Sequence, residues 1–175
     1  NSLSWWLNPL TLREGVPFQP PLPTLTLVTD ASALGWGAHL GQLTTQGMWL
    51  QHELDLHINI KELRAIRLAC QAFLAHLQGR CVEVLTDNTT AMYYLNKQGG
   101  ARSSPLCREA LLLWDLCLTH SVSLQASYLP GVQNVLADQL SRRFLVHEWS
   151  IRPDVIHSIF RTWGFPQLDL FASRT

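Results

Sequence analysis

The chain has 175 residues, of which 47% are hydrophobic and only 15% charged, which fits one folded domain with a sizeable core and excludes an intrinsically disordered segment. Thirteen Lys and Arg balance thirteen Asp and Glu, so net charge is zero and the pI lies near 7.2, short of the basic surface that phosphate binding usually needs. No apolar run reaches bilayer length and no signal-peptide pattern opens the chain, so no membrane span and no membrane partner are expected. The chain starts at Asn1 and both ends stop in mid-pattern, so it reads as a piece of a longer polypeptide. Cysteines at 70, 81, 107 and 117 show no CxxC spacing and no matching His, which favours reduced thiols in an intracellular protein over a zinc site.

Residues 1–23 hold Trp5-Trp6 and then Pro17, Pro20, Pro21 and Pro23, a density of proline that forbids a helix or central strand and predicts an extended lead-in. Thr24 to Thr29 alternates Thr with Leu and Val and predicts a strand ending at Asp30. Gly35–Leu40 and Gly47–Leu50 predict two more strands, joined by a turn around Gln42–Gln46, so the first three strands form an antiparallel meander. From Ile60 to Leu77 apolar residues fall at 60, 63, 66, 69, 70, 73, 74 and 77, a helical stripe that Gly79 stops. Cys81–Thr86 predicts a fourth strand ending at Asp87. A short helix over Thr89–Lys97 closes at Gly99-Gly100, and a longer one opens at Ser104-Pro105, with Ser104 as N-cap, and runs to Leu118. Val122–Leu129 predicts a fifth strand and Asn134–Arg143 a last helix. Strands joined through helices lie parallel by preference, so the expected fold is α/β, a five-stranded mixed sheet with three antiparallel strands, two parallel ones and helices on both faces.

Four carboxylates stand out by position. Asp30 and Asp87 each follow an apolar strand in the tripeptides Val-Thr-Asp and Leu-Thr-Asp, and functional groups collect at strand ends in such sheets. Glu62 falls in the first turn of its helix, beside Ile60 and Leu63, and Asp138 lies mid-helix in Val-Leu-Ala-Asp-Gln-Leu, so both are expected to face partly inward. Alone, each has an ordinary explanation: a turn or cap for the strand-end Asp, helix-dipole complementation for the Glu. Together near one sheet they would repel, and divalent cations are what usually sustains such a cluster. All-oxygen ligation points to Mg²⁺ or Mn²⁺.

The stretches Thr29–Gly37 (Thr-Asp-Ala-Ser-Ala-Leu-Gly-Trp-Gly), Asn59-Ile-Lys-Glu62-Leu, Leu85-Thr-Asp87-Asn88 and Leu129–Arg142 (Leu-Pro-Gly-Val-Gln-Asn-Val-Leu-Ala-Asp-Gln-Leu-Ser-Arg) resemble, in order and spacing, the four motifs of retroelement ribonuclease H domains. Glu148–Pro153 and Trp163–Ser173 look like the segment that follows this region in retrotransposons of the DIRS group. The resemblance implies the three-layer ribonuclease H-like fold over residues 24–143, a lead-in over 1–23 from an upstream reverse transcriptase region, and a C-terminal extension over 144–175. It further implies hydrolysis of the RNA strand of RNA–DNA hybrids with two Mg²⁺ ions, Mn²⁺ being able to substitute, leaving 5′-phosphate and 3′-hydroxyl ends. Asp30 would bridge both ions, Glu62 and Asp87 would serve the leaving-group ion, and Asp138 the nucleophile-side ion. Asn59 matches the position of an amide that touches RNA 2′-hydroxyls, though it also suits a helix N-cap. Ser32, Asn88 and Thr89 are candidate phosphate or sugar contacts.

Two features depart from the wider family. The loop before the last helix is only Pro130–Gln133 and holds no His, which implies slower turnover; His147, the nearest after that helix, reads as a surface or packing residue. Between the 89–97 and 105–118 helices there is no room for a basic substrate-gripping helix, and only Lys97, Arg102 and Arg108 are basic there. The second departure, together with the neutral pI, suggests weak affinity for hybrid in isolation, with the polymerase domain of the same polyprotein supplying much of the grip. Pro153–Trp163 has helical spacing, with Ile156, Ile159, Phe160 and Trp163 on one side and Gly164 as a stop, and is expected to pack on the domain. Trp36, near Asp30, reads as sheet packing rather than substrate stacking. Two rival functions remain open on the sequence: a catalytically degenerate connection domain of the same fold, and a DNA-directed nuclease or integrase.

Overall fold

The computed structural model describes residues 21–98, 103–144 and 153–164. Five strands, β1 (Leu25–Ala31), β2 (Gly35–Leu40), β3 (Leu43–Met48), β4 (Cys81–Thr86) and β5 (Ser123–Tyr128), form one sheet in the order β3-β2-β1-β4-β5. β1 pairs antiparallel with β2 and β2 with β3, whereas β1–β4 and β4–β5 are parallel, as expected from the helical crossovers that separate them. The helices are α1 (Ile58–Ala72), α2 (Leu74–Leu77), α3 (Thr89–Asn96), α4 (Ser104–Thr119), α5 (Val135–Arg142) and α6 (Pro153–Trp163).

Period-two alternation on β1 sorts the two faces of the sheet. Leu25, Leu27 and Ala31 turn to the main core, where Leu63, Ile66 and Ala69 of α1 and Leu113 and Cys117 of α4 meet them. Val28 and Asp30 turn to the opposite face, which α5 covers through β1, β2 and β3. Gly37 makes this second layer possible. A Cβ there would lie against the Leu140 side chain, 2.6 Å from the Ser141 nitrogen and 2.7 Å from the Ala137 carbonyl, so only glycine lets α5 approach this closely. Three of the four cysteines are buried and all four are free thiols.

Several expected boundaries shift. The β2–β3 turn is confined to Gly41-Gln42, with Gly41 at φ +59°, and Leu40 pairs with Leu43; of the anticipated turn over 42–46, residues 43–46 are strand instead. A two-residue hairpin matches the strand twist, and Thr44 and Thr45 favour extended backbone. Trp49 thereby lies past the strand, buried, and its Nε1 donates to the Ser32 carbonyl over 2.9 Å. The 60–77 stripe is broken at Phe73 into α1 and α2, and Gly79 stops it at φ +70°. The cap of α1 is His57, whose Nδ1 accepts from the Asn59 amide, so Asn59 is no N-cap. Ser103, not Ser104, caps α4. Gln98 takes a left-handed φ of 56° after α3; the anticipated Gly99-Gly100 stop lies outside the described residues, as do residues 1–20 of the lead-in, Arg102, His147, and the 148–152 and 165–173 parts of the downstream motifs.

A buried ionic network joins α1 to α4. Glu109, almost fully enclosed, accepts from Arg64 at 2.9 Å and Arg67 at 2.5 Å, and Arg64 also meets Glu53 at 2.6 Å. Residues 1–144 and 145–175 are separate compact units. In the second, α6 starts at Pro153 and ends before Gly164, whose φ is +82°, matching the anticipated helix and stop. Among the described residues no helix is long and apolar enough to cross a membrane.

Candidate active site

Parallel pairing of β1 with β4 brings the first two carboxylates together. Val28 lies opposite Leu85, so the Thr-Asp pairs that follow run level and end in Asp30 and Asp87. Glu62 enters from α1, a turn after Asn59, and accepts a hydrogen bond from the Ala31 amide. Carboxylate oxygens of Asp30, Glu62 and Asp87 all lie within 4.8 Å of one another. Asp30 and Glu62 are buried, Asp87 half-buried.

Burial dominates the electrostatics of this cluster. It pushes Asp30 up to about 6, with Asp87 and Asp138 adding repulsion and the Ser141 hydrogen bond partly opposing it. Glu62 is pushed up to about 9, first by burial and then by the charges of Asp30 and Asp87. One oxygen of Glu62, Oε2, is buried without a hydrogen-bond partner. An orphaned buried acceptor beside two further carboxylates is unfavourable for the protein alone and suits a hard divalent cation, so Asp30, Glu62 and Asp87 fit as its ligands. The chain between β5 and α5 passes close to this point: a Cβ on Gly131 would lie 2.9 Å from Asp87 Oδ2.

Asp138 stands apart from the three. Its side chain is 41% exposed and its Oδ1 accepts from Arg142 Nε over 2.6 Å. Asp138 is thus half-buried, facing inward only in part, and its apolar neighbours are not what turns it: Val135 and Leu136 are themselves exposed, and the buried stripe of α5 is Ala137 and Ser141, with Asn134 just before it. Asp138 lies at the rim, near enough for its charge to act on Asp30.

The candidate substrate residues divide into two groups. Asn59, Asn88 and Thr89 cluster beside Asp87: Asn88 Nδ2 donates to Asn59 Oδ1 over 2.9 Å, Asn88 Oδ1 caps α3 by accepting from the Ala91 amide, and Thr89 is exposed in the first turn. Ser32 is instead buried, its hydroxyl donating to the Ser141 carbonyl over 2.6 Å and accepting from the amides of Leu34 and Gly35. Trp36 is a core residue. Sequence reasoning passed over Asn134 and Ser141, both of which hydrogen bond to Asp30, at 3.4 and 2.6 Å. Their signal was a stripe of small or amide residues, Asn134, Ala137 and Ser141, at helical spacing along α5. Lys61 was also missed: buried, it donates from Nζ to the carbonyls of Ala33 and Leu54, tying the β1–β2 turn to α1.

Residues 21–115 match the family model of the RNase H-like domain found in reverse transcriptase, a span that includes Asp30, Glu62 and Asp87 and ends before Asp138. The chain is 32% identical over 136 residues to the enzymatic polyprotein of Figwort mosaic virus (strain DxS), a match covering 71% of this chain and a fifth (20%) of that relative's length. Among solved structures it is similar to RNase H1 from the archaeon Halobacterium salinarum NRC-1 (TM-score 0.54, 16% identity, 66% of this chain and 92% of that one). It is similar also to LC11-RNase H1 in complex with an RNA/DNA hybrid (TM-score 0.58, 14% identity, 67% and 93%). At those identities the structural likeness speaks for the fold.

Proposed function

The chain belongs to the RNase H-like domains found in reverse transcriptase, and from that premise we propose that it hydrolyses the RNA strand of RNA–DNA hybrids during reverse transcription of a retroelement. The observation that carries the proposal is the three-carboxylate cluster with its orphaned Glu62 oxygen at the common end of β1 and β4. When bound there, divalent cations, Mg²⁺ with Mn²⁺ as substitute, would lower the pKa of an attacking water and stabilise the departing 3′ oxygen. Asp30 sits at the centre of the acids and would face both ions. Glu62 and Asp87 complete the inner set, while Asp138 would join from the rim on the nucleophile side. Joining requires it to leave Arg142, an exposed contact of small stability worth.

The neighbouring amides suit recognition of the RNA strand. Asn59, one helical turn before Glu62, is hydrogen-bonded to Asn88, and an amide donor held there is what discrimination of a 2′-hydroxyl needs. Thr89 offers an exposed hydroxyl to the backbone. Products would carry 5′-phosphate and 3′-hydroxyl ends. The downstream Glu148–Pro153 and Trp163–Ser173 motifs support a source in the DIRS group of retrotransposons. Labelled RNA–DNA hybrid and duplex DNA, each incubated with Mg²⁺ and then with EDTA, provide the test: hybrid-specific, EDTA-sensitive cleavage is expected. Cleavage of duplex DNA would favour a DNA-directed nuclease, and no cleavage a degenerate domain.

A further inference from the structure

We propose that Ser141 and Ser32 are a reciprocal pair of positioning residues that lock the Asp30 carboxylate to α5; the inference rests on the reading of Asp30 as a metal ligand. Ser141 Oγ donates to Asp30 Oδ2 over 2.6 Å, and Ser32 Oγ, two residues beyond Asp30, donates to the backbone carbonyl of Ser141 over 2.6 Å. Each segment thus holds the other by one side chain. Ser32 is immobilised in turn by the amides of Leu34 and Gly35, at 3.1 and 3.2 Å. All three residues are buried.

A helical serine often back-bonds to a preceding carbonyl, and Ser141 has one within reach, that of Asp138 at 2.9 Å. The hydroxyl has a single proton, however, and the Asp30 oxygen is the nearer acceptor and, once ionised, the stronger one. Rotation about the last torsion of an aspartate is soft, with two broad wells, so an unheld carboxylate would present its oxygens in variable directions. Tethering Oδ2 leaves Oδ1, which among the described residues only Asn134 Nδ2 approaches, at 3.4 Å, free to converge with Glu62 and Asp87. The clamp exists only because α5 lies close against Gly37, where a Cβ would lie 2.6 Å from the Ser141 nitrogen. Outer-sphere hydrogen bonds of this kind orient ligands, and their removal typically costs metal affinity about 10- to 100-fold.

The experiment is a calorimetric Mn²⁺ titration of the full chain, run beside urea unfolding, on wild type, Ser141→Ala, Ser32→Ala and Leu113→Val. The last loses core packing on α4 and controls for destabilisation alone. Expected is an affinity about tenfold weaker in Ser141→Ala, a smaller loss in Ser32→Ala, and wild-type affinity in Leu113→Val. Wild-type affinity in a folded Ser141→Ala would overturn the proposal. Should that variant not fold, Ser32→Ala decides: weakened binding supports the clamp and unchanged binding sinks it. A wild-type chain that binds no Mn²⁺ overturns the metal-site reading first and this inference with it.

Discussion

Asp30, Glu62 and Asp87 are held in a geometry that the protein alone satisfies poorly, and this makes the titration of Asp30 and Glu62 informative. Burial raises Asp30 to about 6 and Glu62 to about 9, above their ordinary values of 3.8 and 4.5, so the folded chain binds protons that the unfolded chain releases. The stabilising contribution is complete below about pH 4 and is lost as pH rises through the raised values, every tenfold gain in proton affinity on folding being worth about 1.4 kcal/mol. Metal-free protein should therefore lose stability between about pH 4 and 9, and Glu62→Gln should flatten most of that slope; chemical denaturation at several pH values in EDTA measures both. If Glu62→Gln left the slope unchanged, the burial of Glu62 would be misread. Asp30→Asn should abolish Mg²⁺-dependent cleavage of hybrid while circular dichroism shows the fold intact. Retained cleavage in that variant would remove Asp30 from the centre of the reaction.

At the scale of elements, two contacts carry the architecture that presents these acids. The α5–sheet contact depends on Gly37. Gly37→Ala would press a methyl into the Leu140 side chain and the α5 backbone, which should destabilise the fold by about 1–3 kcal/mol. It should also weaken Mn²⁺ binding, since Ser141 rides on the displaced helix. The α1–α4 contact depends on Glu109, enclosed between Arg64 and Arg67. Removing one partner of a buried pair leaves charge uncompensated, so Glu109→Ala should cost about 3–5 kcal/mol in urea unfolding. A cost below about 1 kcal/mol would mean that water reaches the two guanidinium groups and screens them.

For the molecule as a whole, net charge is zero, and four of the thirteen Lys and Arg have partners within the protein: Lys61 two carbonyls, Arg64 and Arg67 Glu109, and the exposed Arg142 Asp138. Affinity for nucleic acid comes mainly from cations released to phosphates. The isolated chain should accordingly bind hybrid only weakly, with Kd in the micromolar range or above near 0.15 M salt, and a shallow dependence on salt. Attachment of a polymerase domain from the same polyprotein should tighten binding at least tenfold. Fluorescence anisotropy with labelled hybrid in Ca²⁺ tests this, and a nanomolar Kd for the isolated chain would refute it.

The mixed sheet, the helical crossovers and the candidacy of Asp30, Glu62 and Asp87 were legible in the residues, because strand alternation, helical spacing and strand-end position are local properties. Boundaries were read less well where local chemistry is ambiguous, as at Thr44-Thr45, which serve a loop or a strand equally, and at Asn59, one of several residues able to cap α1. Which way Asp138 faces was beyond the sequence. Its apolar neighbours Val135 and Leu136 lie exposed, and the side of α5 that is buried was settled by glycine at 37 on a strand nearly a hundred residues earlier. The same holds for Ser141 and Asn134: small polar residues on a helix carry no sign of their partner until packing removes water and leaves the Asp30 carboxylate as the acceptor. Types of element and of ligand follow from short-range patterning; their convergence on one carboxylate follows from contacts that only the folded chain makes.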